Sequence, residues 1–148
     1  MTDIVGQRMR RPDAPDKVKG TALYVEDLPR ATAFYRDVLE LNVMSAGPRM
    51  TSINAGQGSV LLLFKRGATT EGLTFATGWI PPHDGSGPAH FAFAIKAPDL
   101  EAWAARLDEH GVAVESRVEW SAGGVSLYFR DPDGHSVELA TPGVWPTY

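Results

Sequence analysis

The chain has 148 residues, 43% hydrophobic and 22% charged, an ordinary balance for one globular domain. A net charge of −4 gives no electrostatic footprint for nucleic acid, and no apolar run approaches the roughly 18 residues that span a bilayer. The absence of cysteine excludes disulfides, thiolate ligands and a cysteine nucleophile. Residues 1–17 read as a polar N-terminal arm rich in Arg, Asp and Pro, without the apolar core of a signal peptide, so a cytoplasmic location is expected.

Thr21 to Val25 is a β-branched and aromatic run that predicts a strand. Asp27 then stands at a helix N-cap position with Pro29 in the first turn. Leu28, Ala31, Phe34, Val38 and Leu41 recur at helical spacing. Arg49 to Ala55 and Ser59 to Phe64 predict a hairpin around Gly56-Gln-Gly58. Residues 67–87, rich in Gly, Thr, Pro and Asp, read as a linker longer than a bare connection needs.

The scheme then repeats. Phe91, Phe93 and Ile95 alternate with His90, Ala92 and Ala94, which puts His90 on the strand face opposite the phenylalanines. Asp99 is expected to cap the next helix, with Leu100, Trp103, Ala104 and Leu107 on its buried stripe and Gly111 ending it. Val112 to Val118 predicts a strand. Val125 to Arg130 and Ser136 to Ala140 predict a hairpin across Asp131-Pro-Asp-Gly134. In that last strand Glu138 shares a face with Ser136 and Ala140, while His135 lies on the other face.

The two halves superpose as copies of one βαβββ unit. His90 falls opposite Gly20, and Glu138 opposite Leu62. The expected organisation is module one at 18–66, the linker at 67–87, module two at 88–142 and a tail at 143–148.

Leu23-Tyr-Val-Glu-Asp-Leu28 with Phe34-Tyr-Arg-Asp-Val-Leu39, Gly87-Pro-Ala-His-Phe-Ala-Phe93, and Tyr128-Phe-Arg-Asp-Pro-Asp-Gly-His-Ser-Val-Glu-Leu139 resemble the vicinal oxygen chelate superfamily of glyoxalases, bleomycin- and fosfomycin-resistance proteins and extradiol dioxygenases. The resemblance runs from Val18 to Pro142 and implies an α+β fold: two βαβββ modules forming a curled, cup-shaped mixed sheet with helices outside. It implies a divalent metal (Fe, Mn, Ni or Zn) on first- and last-strand ligands, which here are His90 and Glu138. Gly20 and Leu62 occupy the matching places in module one and supply no ligand. Glu40 stands where the family commonly has glycine after the first helix.

The candidate third ligands are Tyr24, on the strand face of Gly20 and Ala22, and His83 in the linker. Glu138 and Tyr24 are the candidate catalytic groups; Tyr24, Trp79 and Trp120 are the candidate substrate contacts. The reading that follows is a metal-dependent enzyme, of dioxygenase, lyase or isomerase type, acting on a small oxygen-rich or aromatic substrate as a homodimer. Two alternatives stand beside it. One is a metal-free protein that sequesters a planar or aromatic compound, as antibiotic-resistance members do. The other is a metal-free enzyme using His90 and Glu138 as an acid–base pair. No nucleic-acid or membrane partner is expected.

Overall fold

Two four-stranded mixed sheets carry the fold, each arranged as one βαβββ unit. The computed structural model describes residues 19–148; the N-terminal arm expected at 1–17 lies outside the described residues. Module one comprises β1 (Lys19–Val25), helix α1 (Leu28–Ala33), β2 (Asn42–Ala46), β3 (Met50–Gly56) and β4 (Ser59–Lys65). Its strand order is β1-β4-β3-β2, with β1 parallel to β4. Module two repeats it with β7 (His90–Ala94), α2 (Leu100–Glu109), β8 (Ser116–Glu119), β9 (Val125–Arg130) and β10 (Ser136–Ala140), in the order β7-β10-β9-β8. The architecture is α+β, as the resemblance implies.

Local chemistry accounts for most of these boundaries. The Asp27 carboxylate accepts a 3.0 Å bond from the Arg30 amide, and so caps α1. The helix continues as one wider π-helical turn, Phe34–Val38, rather than as a uniform α-helix. Glu40 then sits at φ +56°. That is the left-handed conformation glycine takes most readily after a helix, which explains why glycine is common at this place. Asp99 makes no side-chain cap. It closes a 3₁₀ turn, Ala97–Asp99, that leads directly into α2. The strand expected from Val112 begins only at Ser116, because Val112 to Glu115 serve as the descent from the helix.

The linker is not structureless. It holds a two-stranded hairpin, β5 (Leu73–Phe75) with β6 (Gly78–Ile80), whose runs of three residues are too short to announce themselves. Leu73, Phe75, Trp79 and Ile80 are exposed on it.

One apolar cluster spans both modules, joining Leu23, Val25, Leu61 and Leu63 to Ile95, Leu127, Phe129 and Leu139. Phe34 packs against Phe129 and Tyr35 against Phe91, with ring centroids 6.4 and 6.2 Å apart. Polar ties reinforce the seam. Arg106 of α2 donates to the Val38 and Asp37 carbonyls at 2.7 and 2.6 Å, satisfying groups at the end of the first helical segment. The Tyr35 hydroxyl donates to Asp131 at 2.6 Å.

Candidate active site around His90 and Glu138

Glu138 lies on β10, which is flanked by β7 and β9 and almost wholly buried. Its side chain is only 3% exposed. A carboxylate so placed requires partners, since an unpaired buried charge is costly. The Ser126 hydroxyl donates to its Oε1 at 2.5 Å. Its Oε2 lies 3.1 Å from His90 Nε2. His90, the first residue of β7, is half-exposed on the same face, and its Nδ1 donates to the Ser136 carbonyl at 3.1 Å. That bond fixes the ring and turns Nε2 toward Glu138. Tyr128, opposite Glu138 in the β9–β10 register, stacks on the imidazole with centroids 5.9 Å apart. Burial raises the Tyr128 phenol above its ordinary value, the Glu138 carboxylate adds to the rise, and contact with Ser126 works against it. At neutral pH it is therefore an uncharged hydroxyl.

The opposite strand face takes the other histidine of this segment. His135 is buried, with Nδ1 accepting from the Ala89 amide at 2.8 Å and Nε2 donating to the Tyr24 carbonyl at 3.1 Å. It joins the end of β1 to the start of β7. The turn before it is held by Asp131, whose carboxylate accepts from the amides of Asp133 and His135 at 3.0 and 2.9 Å. This turn sets the β9–β10 register that brings Tyr128 opposite Glu138 and Ser126 into bonding distance.

Tyr24 and His83 form a second cluster, on module one. The Tyr24 hydroxyl is 2.7 Å from His83 Nδ1, and Phe64 stacks on Tyr24 and meets His83 edge-on. Burial, and then the charge of Asp84, raise the Tyr24 phenol above its ordinary value. The linker is strapped down here. The Thr69 hydroxyl donates to the His83 carbonyl, the Gly67 amide donates to Asp84, and Arg66 donates to the Gly85 carbonyl. Gly85 lies so close to the Tyr24 ring that a Cβ would come within 2.4 Å of it.

This arrangement corrects one expectation. His83 does not join His90 and Glu138 within the chain, and among the described residues no three His, Asp or Glu side chains converge on one point. The strap holds it against Tyr24 instead. Trp79 projects from β6 with 59% exposure, whereas Trp120 is tied to the His90–Glu138 cluster, its indole Nε1 donating to Ser126 at 2.9 Å. Sequence reasoning missed Ser126 and Tyr128. Counting residue pairs outward from the Asp131–Gly134 turn would have placed both on the Glu138 face.

The family model described as Glyoxalase/Bleomycin resistance protein/Dioxygenase superfamily matches residues 17–139. The chain belongs to this superfamily. Among its relatives, the glutathione transferase FosA of Serratia marcescens is 29% identical over 117 residues, covering 79% of this chain and 74% of that protein. The catechol-2,3-dioxygenase of Bacillus subtilis is 29% identical over 118 residues, but the match covers only 38% of its length. A lactoylglutathione lyase from Agrobacterium tumefaciens superposes with a TM-score of 0.78 at 34% identity, covering 89% of this chain and 98% of that one. These superfamily relatives are enzymes, and their reactions differ. The shared fold hosts several chemistries, so the reaction has to be argued from the site.

Proposed function

We propose that this chain is a divalent-metal-dependent enzyme of the dioxygenase, lyase or isomerase type, acting on a small oxygen-rich or aromatic substrate. The observation that carries the reading is the His90–Glu138 pair. Two ligand-type atoms, Nε2 and Oε2, are aimed at one another, while the outer atoms Nδ1 and Oε1 are engaged by Ser136 and Ser126. That is how metal-binding imidazoles and carboxylates are oriented by their surroundings. The donor set suits Mn²⁺, Fe²⁺, Ni²⁺ or Zn²⁺. A metal bound there would act as a Lewis acid toward substrate oxygens.

The protein's own part in this reading is positional. Glu138 and His90 hold their places through the strand register. Tyr128 supplies an aromatic wall over the imidazole and Trp120 extends it toward solvent, so both are substrate contacts. Two protein ligands make a weak site, and the remaining positions fall to water, substrate or a second copy of the chain. The functional unit in this reading is a homodimer. The Tyr24–His83 pair of a second copy is the donor group proposed to face His90 and Glu138, with Tyr24 as the acid–base candidate. The half-exposed His90 and the apolar residues of the β5–β6 hairpin, Trp79 included, support such a covering partner.

The aromatic wall also favours a second reading, a metal-free protein that sequesters a planar compound. Calorimetric titration with Mn²⁺, Fe²⁺, Ni²⁺ and Zn²⁺ separates the two. Binding of at least one ion, lost in His90→Ala, is the expected result. No heat with any ion would overturn the metal-dependent reading and leave the metal-free ones.

A further inference from the structure

We propose that Ser126 and Trp120 are positioning residues that fix which oxygen of Glu138 faces His90. The extension of this inference to ion binding rests on the function proposed above. The argument is one of donors and acceptors. An indole N–H can only donate. Trp120 Nε1 lies 2.9 Å from Ser126 Oγ, so the serine oxygen accepts there. A serine hydroxyl has a single hydrogen. With its oxygen engaged by Trp120 and Glu138 Oε1 only 2.5 Å away, that hydrogen goes to the carboxylate. Oε1 thereby accepts from Ser126, and Oε2 is the oxygen that lies 3.1 Å from His90 Nε2.

The imidazole is fixed by the same logic from the other end. The Ser136 carbonyl only accepts, so His90 Nδ1 carries a hydrogen and Nε2 is the atom turned to Oε2. The bonds from the indole to Ser126, from Ser126 to Oε1 and from Nδ1 to the Ser136 carbonyl each have one direction, while Nε2 and Oε2 face each other at 3.1 Å as the pair left open to an ion. Ser126 is fully buried and Glu138 nearly so, which keeps water from replacing the serine. Trp120 is 39% exposed, so the chain of bonds runs from the surface to the oxygen that would meet an ion. A carboxylate tethered at one oxygen offers a single oxygen to a metal. A free one can rotate or chelate through both.

The test uses three variants of the full chain and two readouts. Ser126→Ala removes the tether, Ser126→Thr keeps the hydroxyl, and Trp120→Phe keeps the ring but removes the N–H. The first readout, on protein stripped of metal, is the ¹⁵N spectrum of the His90 ring together with hydrogen exchange of the Trp120 indole N–H. We expect wild type and Ser126→Thr to agree, with a slowly exchanging indole. In Ser126→Ala we expect fast indole exchange and displaced His90 ring signals, and in Trp120→Phe displaced His90 ring signals. The second readout is calorimetric Mn²⁺ affinity. We expect a loss of about 10- to 100-fold in Ser126→Ala, the range known for outer partners of metal ligands, and recovery in Ser126→Thr. Failure of threonine to restore the wild-type pattern, or a Ser126→Ala variant with unchanged His90 signals, indole exchange and affinity, overturns the inference. If wild type itself binds no Mn²⁺, nor any of the other three ions, the proposed function fails, and the metal-free His90 and indole spectra alone decide this inference.

Discussion

At the scale of single residues, exposure separates the two members of the His90–Glu138 pair. The His90 side chain is 53% exposed and contributes little burial. His90→Ala should shift stability by no more than about 0.5 kcal/mol while abolishing ion binding, as thermal melts and Mn²⁺ calorimetry would read. Glu138→Ala, by contrast, strands the buried Ser126 hydroxyl and should cost about 1–3 kcal/mol. A melt showing equal stability for the two variants would contradict the described burial. Glu40 offers a gain instead. Its left-handed conformation is unfavourable for a side chain. Its pairing with Arg106 at 3.1 Å is a surface ion pair and compensates weakly. Glu40→Gly should therefore stabilise by about 0.5–1 kcal/mol in chemical denaturation; a loss of stability would show the ion pair to be the larger effect.

At the scale of elements, the Asp131–Gly134 turn is the piece on which the site depends. It aligns β9 with β10, and Tyr35 ties it to the first helical segment. Tyr35 has no exposed surface, and its hydroxyl bonds a buried carboxylate. Tyr35→Phe should cost about 1.5–3 kcal/mol near neutral pH. The pH dependence follows from the direction of its shift. Burial first, then Asp131, hold the Tyr35 phenol well above the ordinary tyrosine value. The native state therefore keeps its proton where the unfolded chain loses it. The stabilisation is fully present below about pH 10 and is lost as pH climbs toward the folded value. The difference in melting temperature between wild type and Tyr35→Phe should accordingly narrow above pH 10. A difference that widens there would mean the bond to Asp131 is not the stabilising contact.

At the scale of the whole molecule, the faces left open are as informative as the seam. The seam is closed by the shared apolar cluster, by Arg106 and by His135. Between the free edges of β1 and β7 a cavity of about 430 Å³ remains, lined by Gly20, Ser59, Phe91 and Ala94 among others. In the repeat, Ser59 occupies the place of His135. At one end of the seam an imidazole reaches across; at the other a serine leaves a gap. No helix among the described residues is long and apolar enough to cross a membrane. The exposed Phe75, Trp79 and Ile80 form the apolar surface on which the proposed homodimer rests. Sedimentation at micromolar concentration should give about twice the 16.0 kDa chain mass, and charged replacement of Phe75 and Trp79 should shift it toward one chain. A wild type that sediments as a single chain would remove the homodimer from the proposal.

Much of this protein follows from short-range pattern. Strand alternation puts His90 opposite the phenylalanines and His135 opposite Glu138, because neighbouring strand residues point to opposite faces. Helical spacing and the Asp27 cap mark the first helix, and the repeat exposes Gly20 and Leu62 as non-ligands. What alternation cannot say is which residues of separate strands meet. The Asp131–Gly134 turn is enough to pair Ser126 and Tyr128 with the Glu138 face, but Trp120, beyond the end of β8, meets Ser126 only in the folded chain. The cap expected of Asp99 gives way to a 3₁₀ turn, and His83, 59 residues from Tyr24, is placed by a strap of tertiary hydrogen bonds. Periodicity is a local property of the chain. The company a buried carboxylate keeps depends on long-range closure, and only the folded arrangement of strands decides it.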